Sequence, residues 1–423
     1  MSSMINIGIL GVGTVGASVA NILEANSDII EARAGKKIVV KAGVVRDLTK
    51  DRGLSIKLSD NPSDIIDDPD IDIVVELMGG VEEPYELVKR ALSNGKAVVT
   101  ANKALLAYHR YELQELAGDI PFMYEASTAG GIPIIGALRS GLSANHIESI
   151  QGIMNGTCNY MLTKMINEGA NYDDILKEAQ ELGYAEADPT FDVGGFDASH
   201  KLLILASIAY GIDAKPEDIL IEGIENITQT DVEFAKEFGY EIKLLGIAKK
   251  VDSGVELRVH STMIPQSSMI AKVDGVMNAV TVVGDRVGET MYYGAGAGGD
   301  ATASAVIADI VDIVRGNQGP MLGYKKGLER DLKLLSKEQI VTQYYLRLVV
   351  DDQSGVLASI TSTLGEFGIS IESMLQKPTK DDGIAKLLFT THSCQESKMQ
   401  DAIKALSKLS VVHSDIAMMR IEK

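Results

Sequence analysis

Ile5-Asn6-Ile7-Gly8-Ile9-Leu10-Gly11-Val12-Gly13-Thr14-Val15-Gly16 sets an aliphatic run directly before glycines spaced G-x-G-x-x-G, and Thr14 to Ala25 continues with apolar residues at helical spacing. A strand that passes through a glycine turn into a helix seats a pyrophosphate on the helix N-terminus. Gly11 permits the tight turn, Gly13 lets the backbone approach the phosphates, and Gly16 allows close packing of helix on strand. Because the chain holds 41 glycines, the spacing alone says little, and the placement between strand and helix carries the reading. It predicts a nicotinamide dinucleotide bound here and used to move a hydride.

Working outward, aliphatic runs at Ile38 to Val45, Ile71 to Glu76, Ala97 to Thr100 and Phe122 to Glu125 alternate with helical stretches at Glu82 to Ser93 and Lys103 to Ala117. This βαβ alternation predicts an N-terminal Rossmann domain, a doubly wound parallel sheet over residues 1–135. Residues 136–311 mix amphipathic helices such as Tyr172 to Leu182 with alternating runs at Val255 to Met263 and Ala279 to Val283, an α+β pattern. The Gly-rich YYGAGAGGDATASAV and the helix after it, to about Arg315, predict a return to the first domain, completed by residues 300–340, with 316–340 as a connector. From Val341 a βαββαβ order follows: Gln343 to Val350, Gly355 to Phe367, Ser370 to Gln376, Ile384 to Thr391, Lys398 to Ser407 and Val411 to Arg420. That order is ferredoxin-like, and 341–423 is expected to be a separate domain.

With 45% hydrophobic and 23% charged residues the chain has the composition of a soluble globular protein. Its formal net charge of -19 repels phosphate backbones and anionic membrane surfaces, so neither nucleic acid nor membrane is an expected partner. Cys158 and Cys394 lack disulfide or zinc-ligand spacing, and the six histidines are scattered. The N-terminus MSSMINIGILGVG carries no signal-peptide pattern, and a cytoplasmic location is expected.

The chemistry concentrates in Gly183-Tyr184-Ala185-Glu186-Ala187-Asp188-Pro189-Thr190-Phe191-Asp192-Val193-Gly194-Gly195-Phe196-Asp197-Ala198-Ser199-His200-Lys201. Asp197 and Lys201 stand i, i+4 at the start of a helix that continues LLILASIAY, apolar nearly all round and therefore buried. On spacing alone a surface ion pair is an equal reading, and the buried helix favours function. Lys103 follows a strand at the carboxyl edge of the sheet, where ligands bind in doubly wound folds. Arg46, at the end of the second strand, either pairs with a 2′-phosphate or is a solvated surface residue; Asp47 beside it keeps NAD open, and the lean is to NADP.

Together with GILGVGTVG, TANKALLA, EASTAGGIPII and IMNGTCNYML, the stretch resembles homoserine dehydrogenase from residue 5 to about 310. The resemblance implies interconversion of L-homoserine and L-aspartate 4-semialdehyde with NADP or NAD, on the route to threonine and methionine. It implies Lys201 as the acid/base, with Lys103 and Asp197 also catalytic. Glu186, Asp192, Asp197 and Thr157 would hold substrate. Gly11, Gly13, Thr14, Val15, Gly16, Arg46, Lys103, Gly183 and Gly298 would hold the cofactor. The chemistry suits these types: a substrate ammonium needs carboxylates, and a hydroxyl that loses hydride needs a base for its proton. Glu125, Thr128, Gly130 and Ile132 match a loop that binds a monovalent cation, sodium being expected, largely through main-chain oxygens; an ordinary Gly-rich turn is the plain alternative.

Two rival readings use the same sequence. A thiol at Cys158 would suit an acylating semialdehyde dehydrogenase, although no adjacent base is readable and a small packed residue is the simpler reading. A non-catalytic dinucleotide and amino-acid sensor would use only the first and last domains. The final domain, through Asp351-Asp352-Gln353-Ser354-Gly355-Val356-Leu357-Ala358 and Gly365-Glu366-Phe367-Gly368-Ile369-Ser370-Ile371, resembles an ACT domain. That implies L-threonine as a feedback effector, or a module for assembly alone, with Ser354 standing where Pro is common. A homodimer or homotetramer is expected.

Overall fold

The computed structural model describes residues 4–317, 319–326, 332–378, 383–413 and 416–423. Residues 1–3, parts of the expected connector (318 and 327–331) and residues 414 and 415 of the expected last strand lie outside the described residues.

The chain opens with β1 (Ile5–Leu10), α1 (Thr14–Ala25), α2 (Ser27–Ala34), β2 (Ile38–Val44), β3 (Lys57–Ser59), α3 (Ser63–Ile66), β4 (Ile73–Glu76), α4 (Glu82–Ser93), β5 (Ala97–Thr100), α5 (Lys103–Ala117) and β6 (Phe122–Met123). The strands pair in parallel in the order β3-β2-β1-β4-β5-β6, which is the doubly wound Rossmann arrangement. Val and Ile dominate β4 and β5 because both faces of a parallel sheet are covered; all four residues of each strand are buried. In α4, Glu82 and Glu83 open the helix and Arg90 closes it, matching the helix dipole.

The middle runs through α6 (Ile134–Gly136), β7 (Ile147–Ile153), α7 (Gly156–Glu168), α8 (Tyr172–Glu181), α9 (Thr190–Val193), α10 (Phe196–Tyr210), β8 (Leu220–Ile221), α11 (Gln229–Glu237), β9 (Tyr240–Val251), β10 (Gly254–Pro265), β11 (Met277–Gly284), β12 (Gly288–Ala295) and α12 (Gly299–Arg315). The C-terminal part has β13 (Val341–Asp351), α13 (Val356–Glu366), β14 (Ile371–Pro378), β15 (Ile384–Thr391), β16 (Cys394–Gln395), α14 (Glu396–Leu406) and β17 (Ala417–Ile421). Its main strands lie in the order β17-β13-β15-β14, the antiparallel ferredoxin-like sheet. Tyr344, Leu346, Leu348 and Val350 of β13 alternate inward against Ile360 and Leu364 of α13 and Met399 and Leu406 of α14.

These segments regroup into two compact units, residues 1–156, 197–216 and 276–333 in one and 157–196, 217–275 and 334–423 in the other. In the first unit, α12 packs on the Rossmann layer. Ala303, Val306 and Ile310 share one core with Ile7, Ile9, Val19 and Leu23. Each fully buried aliphatic side chain there contributes roughly 1.5–3 kcal/mol. In the second unit β17 also pairs in parallel with β10, Thr262 opposite Arg420, so the C-terminal sheet continues into the β9–β10 hairpin.

Two elements differ from expectation. Phe122 to Glu125 is extended only to Met123, because the backbone N–H of Glu125 donates to Asp309 and its carboxylate is drawn to the amides of Ile135 and Gly136. The last strand begins at Ala417; before it, Val412 makes only a single bridge to Val350.

Gly11 has φ +97°, and a Cβ there would lie 2.8 Å from the carbonyl oxygen of Leu77. Gly11→Ala is therefore expected to lower unfolding free energy by about 1–3 kcal/mol, read as a reduced urea midpoint; an unchanged midpoint contradicts this account of the turn.

Candidate active site

Several of the residues expected to be catalytic gather at the start of α10. Past Lys201 this helix is apolar nearly all round, so it is buried, and the polar groups of its first two turns are carried inward with it. Arg110 of α5 helps fix it in place, donating to Ser207 of α10 and, at 2.7 Å, to the carbonyl of Ala214 just beyond it. Asp197 Oδ2 accepts from Lys201 Nζ at 2.7 Å and from Asn155 Nδ2 at 2.9 Å, while Lys103 Nζ lies 3.1 Å from Oδ1. Lys201 Nζ also donates to the carbonyl of Met154 at 2.6 Å. Burial alone would raise the pKa of Asp197, but the ammonium groups of Lys201 and Lys103 and the hydrogen bonds to Oδ2 override it and hold the carboxyl well below the usual range. Asp197 is thus an ionised, buried anchor for two amines. Lys201 is 11% exposed and Lys103 35%, so the pair grades from a sheltered amine to an accessible one.

Lys103 opens α5, whose first turn is capped by Asn102 accepting from the Leu105 amide at 3.0 Å. Asn102 in turn donates to the carbonyl of Gly80, and its own amide donates to Thr100 Oγ1. Thr100 donates to Glu76 at 2.5 Å, and Glu76 also accepts from the Met78 amide at 2.7 Å. Glu76 is fully buried, and desolvation pushes its pKa up to about 7 against these hydrogen bonds. The carboxyl ends of β4 and β5 are thereby stitched together directly beneath Lys103.

The glycine turn lies where the strand order reverses, between β1 and β4. Gly11 and Val12 both donate to the carbonyl of Val44, and a Cβ on Gly16 would sit 2.5 Å from the carbonyl oxygen of Gly11. Above Gly13 the space is open, and α1 has no side-chain cap, so its first amides are left for a ligand. This fits a pyrophosphate. Thr14 and Val15 begin α1. Gly298, with φ +122°, precedes α12, and a Cβ on the next residue, Gly299, would meet Ser18 of α1 at 2.8 Å. Arg46 is exposed at the end of β2. The Asp47 carboxylate is occupied by the amide and hydroxyl of Thr49, at 2.9 and 2.6 Å. Arg52 donates to the Val12 carbonyl at 3.0 Å.

In the EASTAGG loop, Ala129 and Gly130 are consecutive left-handed residues, φ 56° and 54°, which curl the backbone from Thr128 to Ile132. The curl agrees with a ligand held by main-chain oxygens. Buried Asp309 accepts from the Glu125 amide at 2.7 Å, and burial followed by the charge of Glu125 raises its carboxyl well above the carboxylate range. Among the described residues no cluster of three or more acidic, His or Cys side chains forms a metal site.

The other expected residues belong to the second unit. Thr157 Oγ1 donates to the Tyr184 carbonyl at 2.6 Å, tying the start of α7 to the turn at Gly183, whose φ is +75°. Glu186 is exposed and Asp192 is half-buried in α9. The Cys158 thiol is fully buried and donates to the Asp192 carbonyl at 3.2 Å.

Family models match residues 11–120 as the NAD-binding domain of homoserine dehydrogenase, 133–311 as homoserine dehydrogenase and 344–411 as an ACT domain. The chain is 55% identical over 422 residues to the homoserine dehydrogenase of Helicobacter pylori, spanning 100% of both chains. The chain belongs to the homoserine dehydrogenase family. The crystal structure of a homoserine dehydrogenase from Thiobacillus denitrificans superposes with a TM-score of 0.95 at 47% identity, over 100% of this chain and 99% of that one. A hyperthermophilic archaeal homoserine dehydrogenase solved in complex with NADPH is 29% identical, with a TM-score of 0.63 over 73% of this chain and 97% of that one. As a homoserine dehydrogenase the protein is an oxidoreductase whose first domain binds NAD or NADP. Neither the acylating mechanism at Cys158 nor a non-catalytic sensor gains support from these matches. Among the described residues no helix is long and apolar enough to cross a membrane.

Sequence reading missed Glu76, Asn155 and Arg52. An acid closing a buried Ile-Val-Val run was the available signal for Glu76, and Asn155 lay inside a quoted motif. Nothing in spacing distinguishes Arg52 from its basic neighbours.

The folded protein keeps the proton on Glu76 up to about pH 7, whereas the same carboxyl in the unfolded chain, with its ordinary value of 4.5, has already lost it. The stability contribution is therefore fully present below about pH 4.5 and is lost as pH rises through about 7. Glu76→Gln is expected to remove this pH dependence, worth about 2 kcal/mol between about pH 5.5 and 8; urea unfolding at those two pH values measures it, and an equal difference in parent and variant contradicts the assignment.

Proposed function

We propose that the chain interconverts L-homoserine and L-aspartate 4-semialdehyde, with Lys201 as acid/base and with Lys103 and Asp197 completing the catalytic group. The observation that carries this reading is Asp197, a buried carboxylate bonded to Lys201 and paired with Lys103 at the start of α10. Two of the three ammonium N–H groups of Lys201 are engaged by Asp197 and the Met154 carbonyl. The third is assigned to the oxygen of the substrate. A bound nicotinamide ring supplies the hydride acceptor in one direction and the donor in the other. In semialdehyde reduction Lys201 gives its proton to the carbonyl oxygen; in homoserine oxidation it first loses a proton to solvent and then takes the hydroxyl proton. Glu186, Asp192 and Asp197 are assigned to the substrate, with Thr157 as a further contact, because an amino acid requires anions for its ammonium.

Gly11, Gly13, Thr14, Val15, Gly16, Arg46, Lys103, Gly183 and Gly298 are assigned to the dinucleotide. Preference for NADP is supported by exposed Arg46 and by the engagement of the Asp47 carboxylate with Thr49, which leaves that acid poorly placed to serve a ribose 2′-hydroxyl. The solved archaeal relative holds NADPH. A monovalent cation, sodium in our reading, is assigned to main-chain oxygens of Glu125, Thr128, Gly130 and Ile132, supported by the left-handed curl at Ala129 and Gly130. The chain is read as three functional domains, 1–135 with its completion near 300–340, 136–311 and 341–423. The last is read as a threonine-responsive ACT domain in a cytoplasmic homodimer or homotetramer.

Lys201→Ala is expected to lower kcat for homoserine about 10³-fold while leaving the dissociation constant for NADP unchanged. Initial rates and fluorescence titration measure the two quantities, and near-parental turnover defeats the assignment. Arg46→Ala is expected to raise the KM for NADP about tenfold and to leave that for NAD within twofold; an unchanged KM for both cofactors assigns Arg46 to the surface, and an equal rise in both excludes the 2′-phosphate contact.

A further inference from the structure

The C-terminal strand holds a segment that supports the Asp192 end of the stretch assigned to substrate. We infer that Arg420 and Glu222 are positioning residues for Asp192–Gly195, acting through the backbone at Gly223. The inference rests on the proposed role of Glu186 to Lys201 in binding substrate.

Arg420 lies on β17, opposite Thr262 of β10 and Tyr344 of β13, and is fully buried. Its Nε and Nη2 donate to Glu396 of α14 at 2.8 and 2.7 Å, and Tyr344 donates to the same carboxylate at 2.8 Å. One buried carboxylate already neutralises a buried guanidinium. Yet Arg420 makes a second fork, Nη1 and Nη2 donating to Glu222 at 2.7 and 3.0 Å. The Glu222 side chain is 42% exposed, so ionising it costs little, and the C-terminal core would close without it. What the second fork fixes is the chain at Glu222.

That chain is also zippered to β10. The Glu222 amide donates to the Val259 carbonyl at 2.8 Å, and Ser261 Oγ donates to the Gly223 carbonyl at 2.9 Å. On its other side the Ile224 amide donates to the Val193 carbonyl at 3.0 Å. The contact is backbone on backbone. A Cβ on Gly223 would fall 2.1 Å from the Val193 oxygen, and one on Gly195, at φ +86°, would meet Val259 Cγ1 at 3.1 Å and the Glu222 oxygen at 3.2 Å. With backbone packed directly on backbone at Gly223, a displacement of Glu222–Ile224 must be followed by Val193–Gly195. Asp192 immediately precedes this contact and Phe196-Asp197 immediately follows it. The last strand of the ferredoxin-like sheet is thereby coupled to the grip on the amino-acid substrate.

Glu222→Gln in the full-length protein tests the inference, because it keeps the shape and removes the charge. Initial rates should give a homoserine KM raised about tenfold, the effect of losing a charge-assisted hydrogen bond, with kcat and the NADP KM within twofold. Combining it with Arg420→Lys should add no more than about twofold further, and Glu372→Gln, which breaks the exposed ion pair of Glu372 with Lys423, should leave all parameters unchanged. If Glu222→Gln does not fold, Ser261→Ala removes the bond to Gly223 and should raise the homoserine KM about threefold. An unchanged homoserine KM, or an equal loss in kcat and in both KM values, overturns the positioning role. A parent protein that binds NADP but turns over no homoserine overturns instead the reading on which it rests.

Discussion

Asp197 is a buried carboxylate that remains ionised because two ammonium groups share it, and the arrangement of the proposed catalytic groups follows from that constraint. An isolated anion in the same place would be expensive, since burial disfavours the charged form. Lys201 at 2.7 Å and Lys103 at 3.1 Å supply the compensation from two different helices. The start of α10 and the start of α5 are therefore locked together electrostatically. Asn155 adds a neutral hydrogen bond and brings in the chain just before α7. Removing Asp197 leaves two ammonium groups without their shared anion, so the two lysines are coupled through it.

The Rossmann layer prepares this arrangement from below. Its strand order reverses between β1 and β4, and the glycine turn occupies that crevice. Glu76 and Thr100 stitch the next two strand ends, and Asn102 carries the same network into the first turn of α5. One hydrogen-bonded path thus runs along the carboxyl edge to the residue before Lys103. In the second unit, the Arg420 forks join the last strand to Glu222. The two units use the same device, a buried charge satisfied from more than one element.

Much of this was legible in the sequence where local pattern and tertiary role coincide. The helices Thr14–Ala25, Glu82–Ser93 and Lys103–Ala117 were readable from apolar spacing because each presents one face to the sheet. The β1 turn was readable because only glycine meets its steric demands. Strand Phe122–Met123 was read too long, since the pull of Asp309 on the Glu125 amide comes from 184 residues away. The last strand was likewise overextended. Lys201 and Asp197 were visible as an i, i+4 pair, but the partnership with Lys103 was not, because spacing along a chain carries no information about a contact between distant helices. Short elements such as β3 and β16 escaped for the opposite reason: two or three residues are too few to show a period.

The most direct measurement is kcat/KM for L-homoserine in Asp197→Asn, with NADP binding measured on the same sample. The side chain keeps its size and loses its charge, so the two amines lose their common anchor while the glycine turn that seats the dinucleotide is untouched. The account predicts a fall of about 10²–10³ in kcat/KM, larger than any change in NADP affinity, which only Lys103 can transmit. A value within threefold of the parent would contradict the claim that the reactive groups are organised around this carboxylate.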